Sequence, residues 1–152
     1  MIVAKDLLSY SKALYETANS EEIVLRNVAR NSYYALFHEL ASIELKSVPV
    51  TERSFGSHEQ LIQQLRASDE EEYRKLGLLL ASLKSVRTKA DYKLDKNFTD
   101  HDARSTMLKV ERAFQDLSQE NSIVHSEDVV AEDCPLSDKS IASCPPTLSI
   151  VK

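Results

Sequence analysis

Glycine and proline are almost missing from the first 130 residues. The chain of 152 holds two glycines, Gly56 and Gly77, and of its four prolines only Pro49 lies before residue 130. Hairpin turns need residues that tolerate positive φ, and no Asn-Gly or Asp-Gly pair occurs, so a strand-rich fold would lack its turns. Helices joined by short polar connections are what such a chain can build. The length suits one domain with a real core rather than two.

The apolar spacing locates those helices. Val3, Leu7, Tyr10, Leu14 and Ala18 predict a helix from about Val3 to Ala18, closed by Asn19 and Ser20. The Ser20 hydroxyl suits the N-cap of a second helix, with Glu21 and Glu22 at its positive end. That helix is expected to run to about Lys46 on a stripe of Ile23, Val28, Ala35, Leu36, Leu40 and Ile43, and Ser47 to Gly56 then form a surface loop. Ser57-His58-Glu59-Gln60 and Ser68-Asp69-Glu70-Glu71 read as capping boxes. A short helix packing through Leu61, Ile62 and Leu65 follows the first. A long one through Tyr73, Leu76, Leu80, Leu83 and Val86 follows the second, reaching about Tyr92 with Gly77 as a mild penalty inside it. A last helix starts near Thr99, carries Asp100 and Asp102 in its first turn, and packs through Ala103, Met107, Val110, Phe114 and Leu117. The expectation is an all-α, compact up-and-down bundle of about five helices over residues 1–118, followed by a disordered, acidic, Pro- and Ser-containing tail over 119–152.

Charge and cysteine usage narrow the classes further. The net charge is −5, but residues 119–152 hold six acidic and two basic residues, so the tail accounts for −4 of it. The folded part is nearly neutral, which argues against strong non-specific nucleic-acid binding and leaves room for a local basic patch. Cys134 and Cys144 lie in the tail without Cys or His at zinc spacing, and are expected to be free thiols. No apolar run suits a membrane span or a secretory signal, so a cytoplasmic protein is expected. There is no Gly-rich phosphate loop, nucleophile elbow, His-Glu-x-x-His or CxxC pair, so P-loop hydrolysis, serine hydrolysis and zinc proteolysis lack support. No metal and no cofactor are expected.

Two polar clusters remain. Arg26, Arg30, Tyr34 and His38 follow one another at four-residue steps and line one slowly drifting helix face. Such a face suits a phosphate or a partner, with Arg30 and Tyr34 as phosphate-binding candidates. Spacing alone favours a plainer reading, in which Arg30 pairs with an acidic residue of another helix, Tyr33 and Tyr34 sit at the core edge and His38 is a satisfied histidine. The second cluster closes the long helix as Lys84, Arg87, Lys89, Asp91 and Tyr92. Arg87 and Asp91 are one turn apart and able to pair, which is also how an ordinary helix end looks. A functional role would hold Arg87 and Lys84 toward a phosphate, with Asp91 orienting Arg87 and Tyr92 supplying a hydroxyl.

The segments Arg30-Asn31-Ser32-Tyr33-Tyr34-Ala35-Leu36-Phe37-His38, Gly56-Ser57-His58 and Leu83-Lys84-Ser85-Val86-Arg87-Thr88-Lys89-Ala90-Asp91-Tyr92 together resemble a HEPN-like domain, over about residues 3–118. The resemblance implies a helical bundle that forms a homodimer and, in many members, a metal-independent ribonuclease acting as a toxin or antiviral effector. It would be held by an antitoxin or a defence-complex partner. In such members an Arg and a His separated by four to six residues, from both protomers, make a composite site. Here Tyr92, Lys93 and Leu94 stand at those distances after Arg87. His38 is then the candidate imidazole beside Arg87, and a catalytically silent module that binds a nucleotide or a partner is the alternative. Arg53 and His58 match the spacing by number alone, but straddle a loop and a helix start and are set aside.

Overall fold

The computed structural model describes residues 1–45 and 56–124, with side chains as far as residue 119. Five helices form among the described residues, with no strand: α1 (Ala4–Glu16), α2 (Glu22–Ala41), α3 (Ser57–Arg66), α4 (Glu71–Tyr92) and α5 (Asp100–Val124). The protein is an all-helical up-and-down bundle. The Tyr15 hydroxyl near the end of α1 meets Asp100 at the start of α5, and Gly77 early in α4 meets Arg66 at the end of α3, so both pairs run antiparallel.

α2 is the axis of the bundle and the one helix that touches all four others. Its residues explain why. Val28, Ala29, Tyr33, Ala35, Leu36 and Leu40 are completely buried, and at 100° per residue they span an arc of roughly 160°, wider than the apolar stripe of an ordinary surface helix. Small residues let α1 approach closely. Ser11 and Ser32 are both fully buried, the Ser32 hydroxyl donates to Ser11 Oγ at 3.1 Å, and the Ser11 hydroxyl donates to the Val28 carbonyl at 3.0 Å. Neither hydroxyl is left without a partner, which is the condition for burying it. Leu61, Ile62 and Leu65 bury the inner face of α3, Leu80 and Leu83 that of α4, and Ala103, Val110, Ala113 and Phe114 that of α5.

Arg26 locks the start of α2 to the end of α4. It is buried, pairs with Glu22 at 2.6 Å, and donates to the carbonyls of Lys89, Ala90, Lys93 and Lys96. These carbonyls belong to the last turn of α4 and the connection beyond it, where a helix end runs short of donors, and those of Lys89 and Lys93 accept a backbone amide as well. The Arg26 guanidinium also packs over the Phe98 ring, 5.4 Å from its centroid.

Several local expectations are corrected. Ile23 is 64 % exposed, because it lies about 200° around the helix from Leu25, which the core takes instead. Val3 and Tyr10 are exposed too, and α1 buries Leu8 and Ser11. The serine caps do not form as expected. Glu21, Gly56 and Glu70 occupy the N-cap positions of α2, α3 and α4, none with a side-chain cap, and Ser20 instead turns through positive φ. A reciprocal cap does form at α5, where the Thr99 amide donates to Asp102 Oδ2 at 3.1 Å and the Asp102 amide donates to Thr99 Oγ1 at 3.2 Å. α2 ends at Ala41, short of the expected Lys46, which lies outside the described residues as does most of the expected loop. α5 continues past Leu117 to Val124, because no glycine or proline interrupts it and extending a formed helix costs little. The expected tail beyond residue 124, with both cysteines, lies outside the described residues.

Gly77 is a contact point rather than a mere helix weakener. A Cβ there would stand 2.9 Å from Arg66 Cγ, 3.0 Å from Leu65 Cβ and 3.1 Å from the Arg66 backbone nitrogen. The end of α3 crosses α4 where a side chain is missing.

Candidate functional site

α2 and α4 run side by side, and that brings the two polar clusters of the sequence together. Arg87 of α4 lies at the centre with its side chain 14 % exposed. Its Nη2 donates to the Tyr34 hydroxyl at 2.5 Å. Its guanidinium carbon sits 5.8 Å from the ring centroid of Tyr33, 5.3 Å from that of Tyr34 and 5.6 Å from that of Tyr92, so three phenol rings cage the cation. Arg87 Nε lies 3.0 Å from Asp91 Oδ2 as an ion pair, yet its N–H is not aimed at that oxygen and has no hydrogen-bond acceptor among the described residues.

Asp91 joins the two arginines. Its Oδ1 is 3.6 Å from Arg30 Nε, so the carboxylate stands between a largely enclosed guanidinium on α4 and a half-exposed one on α2. One carboxylate facing two guanidiniums leaves a net positive site, and Arg30, at 52 % exposure, is the cation that solvent reaches. Arg26 does not belong here. Four-residue steps on a 3.6-residue helix turn each next side chain about 40°, which carries Arg26 onto the end of α4 and leaves Arg30, Tyr34 and His38 on the site face.

His38 is exposed, and its ring stacks on Tyr34 with centroids 6.2 Å apart. Tyr92 forms the outer wall of the cage at 71 % exposure. Lys84 is held by Glu59 at 2.6 Å, and it lines a groove of about 330 Å³ with Ile62, Ser85 and Thr88. The hydrogen bonds from Lys84 and Gln63 keep the Glu59 carboxyl below the usual carboxylate range.

His58 is the residue that sequence reasoning set aside. The start of α3 places it against the aromatic face of α2, with its ring 4.2 Å from Phe37, 5.6 Å from Tyr33 and 5.8 Å from Tyr34. Its Nδ1 lies 2.9 Å from the Tyr33 hydroxyl. Burial pushes the imidazole below the ordinary histidine value, and the charges of Arg87, Lys84 and His38 push it the same way. The signal was present in Gly56-Ser57-His58. Its numerical partner Arg53 lies outside the described residues. Phe37 and Glu59 were likewise not singled out, and Tyr33, expected at the core edge with Tyr34, is fully buried, since these positions depend on how the other helices pack.

Among the described residues no three His, Cys, Asp or Glu side chains gather as a metal site would need, and no helix is long and apolar enough to cross a membrane. Comparison with protein-family models, with curated proteins and with solved structures finds no match to this chain.

Proposed function

We propose that this protein is a HEPN-like ribonuclease that cleaves RNA by attack of a ribose 2'-hydroxyl on the adjacent phosphate, without a metal. The observation that carries the reading is the Arg87 guanidinium held by Tyr34 and Asp91 among three tyrosines, with two histidines packed on the same aromatic face. In the step itself the 2'-oxygen forms a bond to phosphorus, the bond to the 5'-oxygen breaks, and a 2',3'-cyclic phosphate remains. Arg87 and Arg30 steady the charge that grows on the phosphoryl oxygens. The imidazole of His38 takes the 2'-hydroxyl proton and, as imidazolium, gives it to the departing 5'-oxygen. A homodimer would set two such faces together around one strand of RNA, and a cognate antitoxin or defence-complex protein would hold the activity in check in a cytoplasmic setting.

A second reading is favoured by one specific observation. Asp91 already pairs with Arg87, and Arg87 is largely enclosed, which suits a silent domain that binds a nucleotide or a partner through Arg30, His38 and Tyr92. Incubating the full chain with a labelled RNA in EDTA separates the two. Cleavage that leaves cyclic phosphate ends and is lost in Arg87→Ala and His38→Ala supports the ribonuclease. Intact RNA with folded protein, or cleavage unchanged in both variants, sinks it and turns the search to bound nucleotides.

A further inference from the structure

The buried Tyr33 hydroxyl decides which nitrogen of His58 carries the proton. Tyr33 is fully enclosed, so water does not reach its O–H, and a buried hydroxyl hydrogen without an acceptor is costly. Among the described residues the acceptor at hydrogen-bond distance is His58 Nδ1, at 2.9 Å. Burial also pushes the Tyr33 phenol up to about 12, so it keeps its hydrogen at neutral pH and acts as the donor. A neutral imidazole has one protonated and one bare nitrogen. A proton on Nδ1 would face the phenol oxygen and strand the Tyr33 hydrogen. A lone pair on Nδ1 satisfies it and leaves the ring proton on Nε2, at the opposite edge.

The geometry points to His58 as a neutral donor that offers its Nε2–H to a phosphoryl oxygen beside Arg87, with Tyr33 as the positioning residue that sets this tautomer. A second ring proton is opposed first by burial and then by the charges of Arg87 and Lys84 of α4 and His38 of α2, while the neighbouring Glu59 is occupied by Lys84 and Gln63. His58 in this form gives a hydrogen bond without taking a proton from the nucleophile, so base duty stays with His38. The donor role rests on the phosphate-site reading above. The tautomer does not.

Long-range nitrogen–proton NMR on the labelled full chain tests the tautomer, with His58→Gln assigning the signals. At pH 7.5 His58 should show a protonated Nε2 and a bare Nδ1, Tyr33→Phe should shift the ring toward a mixture of tautomers, and inorganic phosphate should move the Nε2 signal. A protonated Nδ1 in the parent protein, or a tautomer indifferent to Tyr33→Phe, overturns the assignment. A glutamine amide places an N–H close to where Nε2–H stood, so His58→Gln should keep RNA cleavage within about threefold of the parent while His58→Ala loses roughly 10- to 100-fold, as expected for a hydrogen bond to a charged group. Gln and Ala equally impaired would overturn the donor role. If the protein cleaves no RNA at all, the ribonuclease reading fails by itself, and the tautomer and the response to phosphate still decide this proposal.

Discussion

The Tyr34 hydroxyl accepts a hydrogen bond from Arg87 across the α2–α4 interface, joining residues 53 positions apart in the chain. That bond makes a neutral core-edge phenol the holder of the central cation. It also means that the cation's position depends on how two helices pack and not only on the α4 sequence around it.

Tyr34→Phe removes the acceptor while keeping the ring. A hydrogen bond to a charged group contributes about 1.5–3 kcal/mol, and urea unfolding should show a loss toward the lower end of that range because Asp91 still pairs with Arg87. RNA cleavage or phosphate binding should fall together with stability. A variant as stable as the parent would mean that Arg87 is held by Asp91 alone.

Arg26 and Arg30 are one turn apart and should answer mutation in opposite ways. Arg26→Ala removes a buried donor shared by four carbonyls, of which those of Lys89 and Lys93 keep a backbone amide while that of Ala90 is left buried, so a loss of about 1–3 kcal/mol is expected. Arg30→Ala removes a half-exposed ion pair at 3.6 Å, and unfolding should change by less than about 1 kcal/mol. Its cost should appear in the binding of phosphate or RNA. Comparable destabilisation by the two would contradict the separation of scaffold from site.

Gly77→Ala is the substitution that helix propensity alone misjudges. Alanine favours the helix by about 1 kcal/mol over glycine, but the new methyl would press on Arg66 Cγ and the Arg66 backbone nitrogen, and the backbone has little room to give. A net destabilisation of about 1–2 kcal/mol by overpacking is expected in denaturant melts. A stabilised variant would show that the end of α3 shifts freely.

Stability should fall in two stages as the solution is acidified. The His58 pKa is depressed in the folded state, so the unfolded chain binds the proton first. Its contribution is complete above the ordinary histidine value near 6.5 and is lost as pH falls toward the lower folded value. Glu59, held below its ordinary 4.5 by Lys84, adds stability above that value, and this is lost at lower pH still. Melting temperature followed from pH 8 to pH 3 should show both stages, and His58→Gln should erase only the first.

The positions of the helices were legible because an apolar period needs no knowledge of the partner. Leu61, Ile62 and Leu65, or Ala103, Val110 and Phe114, announce a buried face whatever they pack against. The one-turn pair of Arg87 and Asp91 was legible for the same reason, since both residues ride one helix. Stripe membership was less so. Ile23 looked as apolar as Leu25, and only the side of α2 on which the rest of the bundle packs decided between them.

What the sequence by itself determined is local: where helices begin to repeat, which faces are apolar, and which charges share a turn. Whether Arg26 would tie down the end of α4 while Arg30 stayed in solvent, whether Gly77 would be a crossing point, and whether His58 would reach Tyr33 were decided by tertiary packing. The reason is geometric. Periodicity states the angle at which a side chain leaves its own helix, whereas a site needs the angle and distance between helices, and these follow from the joint packing of all five.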